Sequence, residues 1–155
     1  MSTEHILPIK KALQAELHSK IEMQIASYSK AIASIEESKL SETKSSAGDK
    51  YETGRAMMQM EQDKLTAQLV SLELIKTKIN QISPKQKCDQ GMLGAIVITD
   101  TGSYYLSVSL GKITIAAGKY YTISPEAPLS ILLMGKKVGD RVVFRNRQIE
   151  VIGVL

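Results

Sequence analysis

Two long stripes of apolar residues constrain the fold of this chain more than any other feature. In the first stripe the apolar positions are spaced by 4, 4, 4, 3, 4 and 3 residues, which places them on one narrow face of a helix. Its members are Leu13, Leu17, Ile21, Ile25, Tyr28, Ile32 and Ile35. The second stripe has a heptad spacing through Met58, Leu65, Leu72 and Ile79, with Leu69, Ile75 or Lys76, and Ile82 at the alternate seam position. A helix with such a stripe needs a partner, so both patterns predict the arms of a two-stranded coiled coil.

The segment between the arms predicts that they pair within one chain. Pro8 suits the first turn of the first helix, and Pro84 closes the second. Residues 40–47 form a short polar turn, which favours antiparallel pairing as a hairpin. Each arm has roughly 30 residues, so the rod is expected to be about 45 Å long. An intermolecular coiled coil with a frayed middle is the alternative.

The chain changes character near Pro84. Only one Pro and two Gly precede that position, whereas three Pro and eight Gly lie from Pro84 onward, among many β-branched residues. This shift predicts a coiled-coil domain at 1–83 with an acidic tip near 45–53, a linker at 84–91, and a C-terminal domain at 92–155.

The C-terminal domain has the period of β-strands. Strands are predicted at 95–99, 104–110, 112–117, 119–123, 141–144 and 149–154, with a turn at 100–102 and a short helix at 129–134. The fold class is therefore predicted as α+β, a helical hairpin followed by a small antiparallel sheet with one short helix. About 65 residues bury only a modest core, which favours a docking platform over a complete enzyme.

Composition limits where such a protein works. The sequence shows neither a signal peptide nor a membrane span, and the single Cys88 cannot form an internal disulfide, so a reducing cytoplasmic location is expected. The net charge of +4 permits an acidic partner without requiring one.

Asp49 and Glu52 form a carboxylate pair at the predicted tip. If Ser46 caps the second helix, Asp49 occupies the third helical position and Glu52 follows on nearly the same face. A helix N-terminus favours negative charge by about 0.3–1 kcal/mol, so both groups should be ionised. Two carboxylates alone hold Mg²⁺ weakly, and such a site needs ligands from another molecule. The structural alternative is that Asp49 only stabilises the first helical turn.

Two segments together resemble the bacterial Gre transcript cleavage factors. The tip run Gly48-Asp49-Lys50-Tyr51-Glu52 is similar to the family's Gly-Asp-x-x-Glu pattern. In the run from Pro128 to Val142, Gly135-Lys136 lies seven residues after the Pro and Gly139-Asp140 precedes a strand, as in the family's C-terminal domain. Order and spacing agree over nearly the whole chain.

The resemblance implies a fold and a function. It implies that the C-terminal domain resembles FK506-binding proteins and grips the rim of the RNA polymerase secondary channel. The coiled coil would enter the channel, where tip carboxylates help to hold a catalytic Mg²⁺ and water and promote cleavage of backtracked RNA. The chain would thus be a cytoplasmic, monomeric accessory factor without its own active site or membrane contact, bound to Mg²⁺ only in the complex and touching nucleic acid indirectly, near the RNA 3′ end.

The resemblance also assigns roles to residues. Asp49 and Glu52 would share a metal with the polymerase. Apart from the resemblance, Lys44, Lys50 and Arg55 surround the two carboxylates with positive charge and are predicted tip contacts, which either neutralise the pair in part or meet RNA phosphates. The docking residues would be Pro128, Leu132, Gly135, Lys136, Lys137, Gly139 and Asp140.

The chain departs from the family pattern at both motifs. Thr53-Gly54-Arg55-Ala56 stands where many Gre factors have Asn, Ala, Glu and Tyr, and Ala127 stands where Ser is common. Polymerase binding therefore rests on more matching residues than cleavage stimulation does. A channel regulator without cleavage activity, a coiled-coil adaptor without a polymerase role, and a small isomerase or peptide binder are the alternatives.

Other candidate residues favour structural roles. Cys88 with His5 or His18 suggests a thiol nucleophile, but no third group is evident, and Cys88 is interpreted as a packing residue or an exposed thiol. Strand alternation predicts that one residue of each pair Tyr104-Tyr105 and Tyr120-Tyr121 faces the core. A basic cluster near the last hairpin favours a solvated face, with an acidic partner surface as the alternative; its members are Lys136, Lys137, Arg141, Arg145 and Arg147.

Overall fold

The chain combines two long helices with a six-stranded sheet and one short helix, which confirms the predicted α+β class. The computed structural model describes the backbone of residues 3–42 and 48–155 and the side chains of residues 4–41 and 52–155. Helix α1 spans Thr3–Glu42 and helix α2 spans Gly48–Gln81. The remaining elements are β1 (Ile96–Thr99), β2 (Gly102–Leu106), β3 (Gly111–Ile115), β4 (Gly118–Ile123), α3 (Pro128–Leu133), β5 (Arg141–Phe144) and β6 (Arg147–Val154).

The residues form two compact units. One comprises Met1–Lys20 with Thr77–Leu155, and the other comprises Ile21–Lys76. The limits predicted for a coiled-coil domain, a linker and a C-terminal domain stay a prediction.

Helix α1 is longer than predicted at both ends. It begins before Pro8, which lies in its second turn rather than its first. A proline there removes only a bond near the helix start, so the helix tolerates it. The turn predicted at 40–47 begins too early, because α1 continues to Glu42; α2 then starts at Gly48. Residues 43–47, which include the predicted cap Ser46, lie outside the described residues.

Within the unit Ile21–Lys76 the two helices run antiparallel. Glu22 forms a salt bridge with Lys76, and the Gln62 amide donates to Glu36 Oε1 over 3.1 Å. Lys39 donates to the side chains of Gln59 and Gln62. Positions rising along α1 thus meet positions falling along α2, as predicted for a hairpin. Ile21 and Leu72 of the seam are buried. Seam residues further along the helices are half-buried, because in a two-stranded coiled coil only the one partner helix covers them.

In the other unit the α2 end packs on the beginning of α1. Leu13, Leu17, Ile79 and Ile82 are buried there. The side-chain amide of Gln14 donates to the carbonyl oxygens of Ile79, over 3.3 Å, and Ile82. These bonds satisfy carbonyls that a helix C-terminus otherwise leaves without an intrahelical partner.

The sheet has the strand order β3-β4-β2-β1-β6-β5. Four neighbouring pairs of strands are antiparallel, but β2 and β4 are parallel. The sheet is therefore mixed, and the prediction of a purely antiparallel sheet is wrong at this one pair. Helix α3 lies on one face over a core of Ala95, Val97, Leu106, Leu129, Leu133, Val142, Ile149 and Val151. Antiparallel β1 and β2 meet at the turn predicted for 100–102, and Arg145 and Asn146 form the turn between β5 and β6 with φ of 50° and 62°.

Strand β2 is shorter than predicted. It ends at Leu106 rather than Leu110, because the chain turns away from the strand. The Ser107 N–H donates to the Ile123 carbonyl, and the Leu110 N–H donates to the Thr122 hydroxyl over 3.1 Å. Residues 107–110 thus connect β2 to β3 instead of extending β2.

Candidate partner-binding sites

The segment from Pro128 to Val142 forms a helix, a turn and the start of an edge strand. Pro128 begins α3 in a position where its missing N–H costs no intrahelical bond. Leu129, Ser130 and Leu133 face the core. Gly135 and Gly139 have φ of +74° and +94°, a region that glycine adopts without strain.

The linker residue Gly91 holds this segment against the domain. Its N–H donates to the Lys136 carbonyl over 2.8 Å, and its carbonyl accepts from the Gly135 N–H over 2.7 Å. A Cβ at position 91 would lie 1.9 Å from the Leu133 carbonyl oxygen, so only glycine fits. The end of α3 is therefore fixed by backbone contacts.

The carboxylate of Asp140 stabilises the turn that follows. Its Oδ2 accepts from the Lys137 N–H over 2.8 Å, and its own N–H donates to the Lys137 carbonyl over 3.0 Å. The Asp140 carbonyl accepts from the Val151 N–H, while the Gly139 N–H donates to the Val151 carbonyl. Asp140 thus has a structural role beside the predicted docking role.

The predicted docking residues differ in their exposure. Pro128, Gly135, Lys137, Gly139 and Asp140 are exposed. Lys136 is half-buried, and so is Leu132, which packs against the core cluster and offers only part of its side chain to a partner. The docking role of all seven stays a prediction.

The exposed apolar side chains of this region were not identified from the sequence, and three of them are more than 60% exposed. Ile131 on α3 is 63% exposed, Val138 in the turn 61%, and Val143 on β5 65%. The signal for Val143 is alternation, since Val142 faces the core and its neighbour must face outward. Ile131 follows from the helical period, because Leu129, Ser130 and Leu133 occupy the buried face.

The carboxylate pair of the predicted tip lies in the first turns of α2. Asp49 and Glu52 are three residues apart in this helix, which places them on the same face. The Glu52 side chain is exposed, and so is that of Arg55, one turn further along. The side chains of Asp49 and Lys50, and all of Lys44, lie outside the described residues.

No group of three or more His, Cys, Asp or Glu residues able to hold a metal occurs in the described part of the chain. The predicted metal role of Asp49 and Glu52, and the tip contacts of Lys44, Lys50 and Arg55, stay predictions.

Farther along α2, Lys76 has a structural role. Its hydrogen bond and charge interaction with Glu22 raise the pKa of the Lys76 ammonium.

The tyrosine prediction is confirmed. Tyr105 and Tyr120 are buried, whereas Tyr121 is 43% exposed and Tyr104 is half-buried. The rings of Tyr104 and Tyr121 lie 5.8 Å apart on neighbouring strands. For Cys88, the group that the sequence did not reveal is Lys10, whose Nζ lies 3.6 Å from the Cys88 sulfur.

Comparisons with known proteins add a structural similarity. No protein-family model matches the chain, and no curated protein matches it. Among solved structures, the chain is similar to the structure of the transcription factor Gfh1, with 17% identity and a TM-score of 0.35 over 88% of this chain and 91% of that chain. At this level the similarity carries no inference about function, so the Gre-like interpretation rests on the two sequence motifs. No helix among the described residues is long and apolar enough to cross a membrane.

Proposed function

We propose that the chain is a Gre-like transcription elongation factor that binds RNA polymerase and promotes cleavage of backtracked RNA. The observation that carries the proposal is the segment from Pro128 to Val142. It matches the Gre pattern and also exposes large apolar side chains at Ile131 on α3 and at Val138 in the turn that follows, and backbone bonds fix the end of α3 and this turn. Exposed apolar groups on a rigid frame are typical of a protein-docking surface.

The helical hairpin would deliver the tip carboxylates to the polymerase active centre. Asp49 and Glu52 share a helical face near the start of α2, where the helix dipole favours negative charge. They would supply two ligands to a Mg²⁺ whose other ligands come from the polymerase and the RNA phosphates. Such an ion lowers the pKa of a bound water and so supplies the nucleophile for phosphodiester cleavage.

A secondary-channel regulator without cleavage activity is the second candidate. The exposed Arg55 lies one turn from Glu52 on the same helix, so a cation stands near the carboxylate pair. A cation there can meet RNA phosphates or weaken the pair's attraction for a metal ion. The chain would then occupy the channel and modulate the polymerase without activating water.

Two measurements on the full chain separate these functions. Binding to core RNA polymerase tests the docking proposal, and a coiled-coil adaptor without a polymerase role would not bind. Transcript cleavage in stalled elongation complexes tests the tip. We expect Asp49→Ala and Glu52→Ala to reduce cleavage to the level seen without the factor while polymerase affinity is retained, because the metal loses a ligand.

Asp63→Ala is the matched control, since Asp63 is an exposed carboxylate further along α2. It should leave cleavage unchanged. If wild type binds polymerase but does not stimulate cleavage, or the tip variants cleave as well as wild type, the metal role is wrong. Absence of polymerase binding would refute the functional proposal as a whole.

A further inference from the structure

Lys10 and Cys88 are in contact in the unit of Met1–Lys20 and Thr77–Leu155, and the buried Tyr105 interacts electrostatically with Cys88. Lys10 comes from α1, Cys88 from the segment between α2 and β1, and Tyr105 from β2. None of the three has a part in the proposed function. Their positions are up to 95 residues apart in the sequence, so only the fold brings them together.

Lys10 is fully buried and directed at the sulfur. Its Nζ donates to the Gln86 carbonyl over 2.8 Å and lies 3.6 Å from Cys88 Sγ. Burial lowers the pKa of the Lys10 ammonium because the charged form loses its hydration, and the neighbouring Cys88 opposes this only in part. A larger fraction of Lys10 is therefore unprotonated than of a surface lysine, and the unprotonated amine is a nucleophile.

Tyr105 is a second ionisable group that interacts electrostatically with Cys88. Its side chain is fully buried, and its hydroxyl has no hydrogen-bond partner among the described residues. Burial, with a smaller contribution from charge on Cys88, raises the pKa of Tyr105 to about 12, so the hydroxyl keeps its proton at neutral pH. A buried donor without an acceptor is unfavourable. An oxygen atom on the Cys88 sulfur adds an acceptor to this part of the interior.

A small oxidant can reach the sulfur. Cys88 is half-buried and lines a cavity of about 180 Å³ together with Ile6, Leu7, Pro84 and Leu155 among others. The wall is mainly apolar, which admits a small uncharged molecule more readily than a charged one. Hydrogen peroxide has this character.

We propose that Lys10 and Cys88 form an oxidative modification site, in which peroxide converts the thiol to a sulfenic acid and Lys10 then closes a nitrogen–sulfur cross-link. Sulfenic acids condense with nearby nitrogen nucleophiles to give sulfenamides, and thiols restore the free cysteine. The cross-link joins the beginning of α1 to the segment that precedes the sheet.

Both steps balance with peroxide as the only oxidant. In the first, the thiol releases its proton and the thiolate attacks one peroxide oxygen, so that an S–O bond forms and the O–O bond breaks. The leaving hydroxide takes up the thiol's proton and departs as water, and sulfur gives up the two electrons that reduce the peroxide. In the second, Lys10 Nζ attacks sulfur, an N–S bond forms and the S–O bond breaks. The hydroxide departs as water with the proton that the nitrogen releases.

The test exposes the purified full chain to hydrogen peroxide and measures its intact mass, followed by peptide mapping. We expect a product lighter than the starting protein by two hydrogen atoms, with a linked peptide pair containing Lys10 and Cys88. Dithiothreitol should restore the original mass. Because peptide mapping of the wild-type protein locates the cross-link directly, this test does not depend on the folding of any variant.

Variants assign each group its part. Cys88→Ser should give no product, and Lys10→Met should accumulate a sulfenic acid that dimedone traps, without any cross-link. Lys11→Met is the matched control, because Lys11 is exposed and adjacent to Lys10 in sequence, and it should behave as wild type. Lys87 lines the cavity beside Cys88 and is the competing amine. Oxidation of wild type only to the sulfinic acid, a cross-link through Lys87, or an unchanged product in Lys10→Met would each overturn the proposal.

Discussion

Burial changes the ionisation of Lys10 and Tyr105 in opposite directions. The pKa of the Lys10 ammonium is lowered and that of the Tyr105 hydroxyl is raised to about 12, in both cases because the charged form is poorly solvated in the interior. These groups belong to the unit that contains the sheet, so their protonation states affect its stability.

The lowered pKa of Lys10 predicts that stability depends on pH. Between the folded-state pKa and the ordinary value of 10.5, the unfolded chain binds more protons than the folded chain. The Lys10 contribution to the free energy of unfolding therefore rises with pH across that window. Tyr105 acts in the opposite sense only above its ordinary value of 10.0, where the folded chain retains its proton.

Chemical denaturation at several pH values between about 7 and 10 measures this effect. Wild type should gain stability relative to Lys10→Met as pH rises, because the variant has no amine to deprotonate. Lys11→Met, at an exposed neighbouring position, should retain the wild-type slope. Equal slopes in wild type and Lys10→Met would contradict the buried-amine interpretation.

At the scale of elements, Gly91 links the segment before the sheet to the end of α3. It makes two backbone hydrogen bonds to residues 135 and 136, and these bonds require the two backbone segments to lie so close that no side chain fits between them. The helix has only six residues, so its position depends on such contacts rather than on its own hydrogen bonds.

The Gly91→Ala substitution should therefore lower the free energy of unfolding by about 3 kcal/mol, at the upper end of the usual cost of overpacking. The new Cβ would lie 1.9 Å from the Leu133 carbonyl oxygen, and backbone must move to relieve the clash. Gly135→Ala is the control: no atom lies within 4 Å of its Cβ, so only its positive φ costs energy, about 1 kcal/mol. Urea denaturation compares the two, and equal losses would show that the close approach at Gly91 relaxes.

The elements themselves were largely predictable from sequence. Heptad spacing identified both long helices, and alternation identified six strands, because each pattern reflects contacts between near neighbours along the chain. The end of β2 was not predictable, since it depends on the Thr122 hydroxyl, which bonds Leu110 from a strand distant in sequence. The start of α1 before Pro8 was missed because a lost bond near a helix start costs little.

At the scale of the whole molecule, long-range placement limited prediction. The parallel pairing of β2 with β4 and the strand order depend on contacts that no local pattern encodes. The Lys10–Cys88 contact spans 78 positions, so the sequence offered only a single cysteine without a visible partner. At the candidate sites, the motifs indicated the Pro128–Val142 segment, but the helical period identifies exposed Ile131 only once the buried face of α3 is known, and that face depends on how the helix packs on the sheet.

The proposed function predicts that the two sequence motifs affect different measurements. Docking residues should affect polymerase binding and, through it, cleavage, whereas tip residues should affect cleavage alone. Ile131 and Val138 are suited to the first test, because both are more than 60% exposed and neither belongs to the core cluster.

Ile131→Asp and Val138→Asp should each weaken binding to core RNA polymerase by about tenfold or more, since a charge replaces an apolar contact at a desolvated interface. Thr114→Asp adds the same charge at an exposed position of β3, at the opposite edge of the sheet, and should bind as wild type. Circular dichroism and thermal unfolding establish that each variant is folded. Unchanged affinity in both docking variants would place the polymerase contact elsewhere on the chain, whereas an equal loss in Thr114→Asp would indicate a response to net charge rather than to the apolar surface.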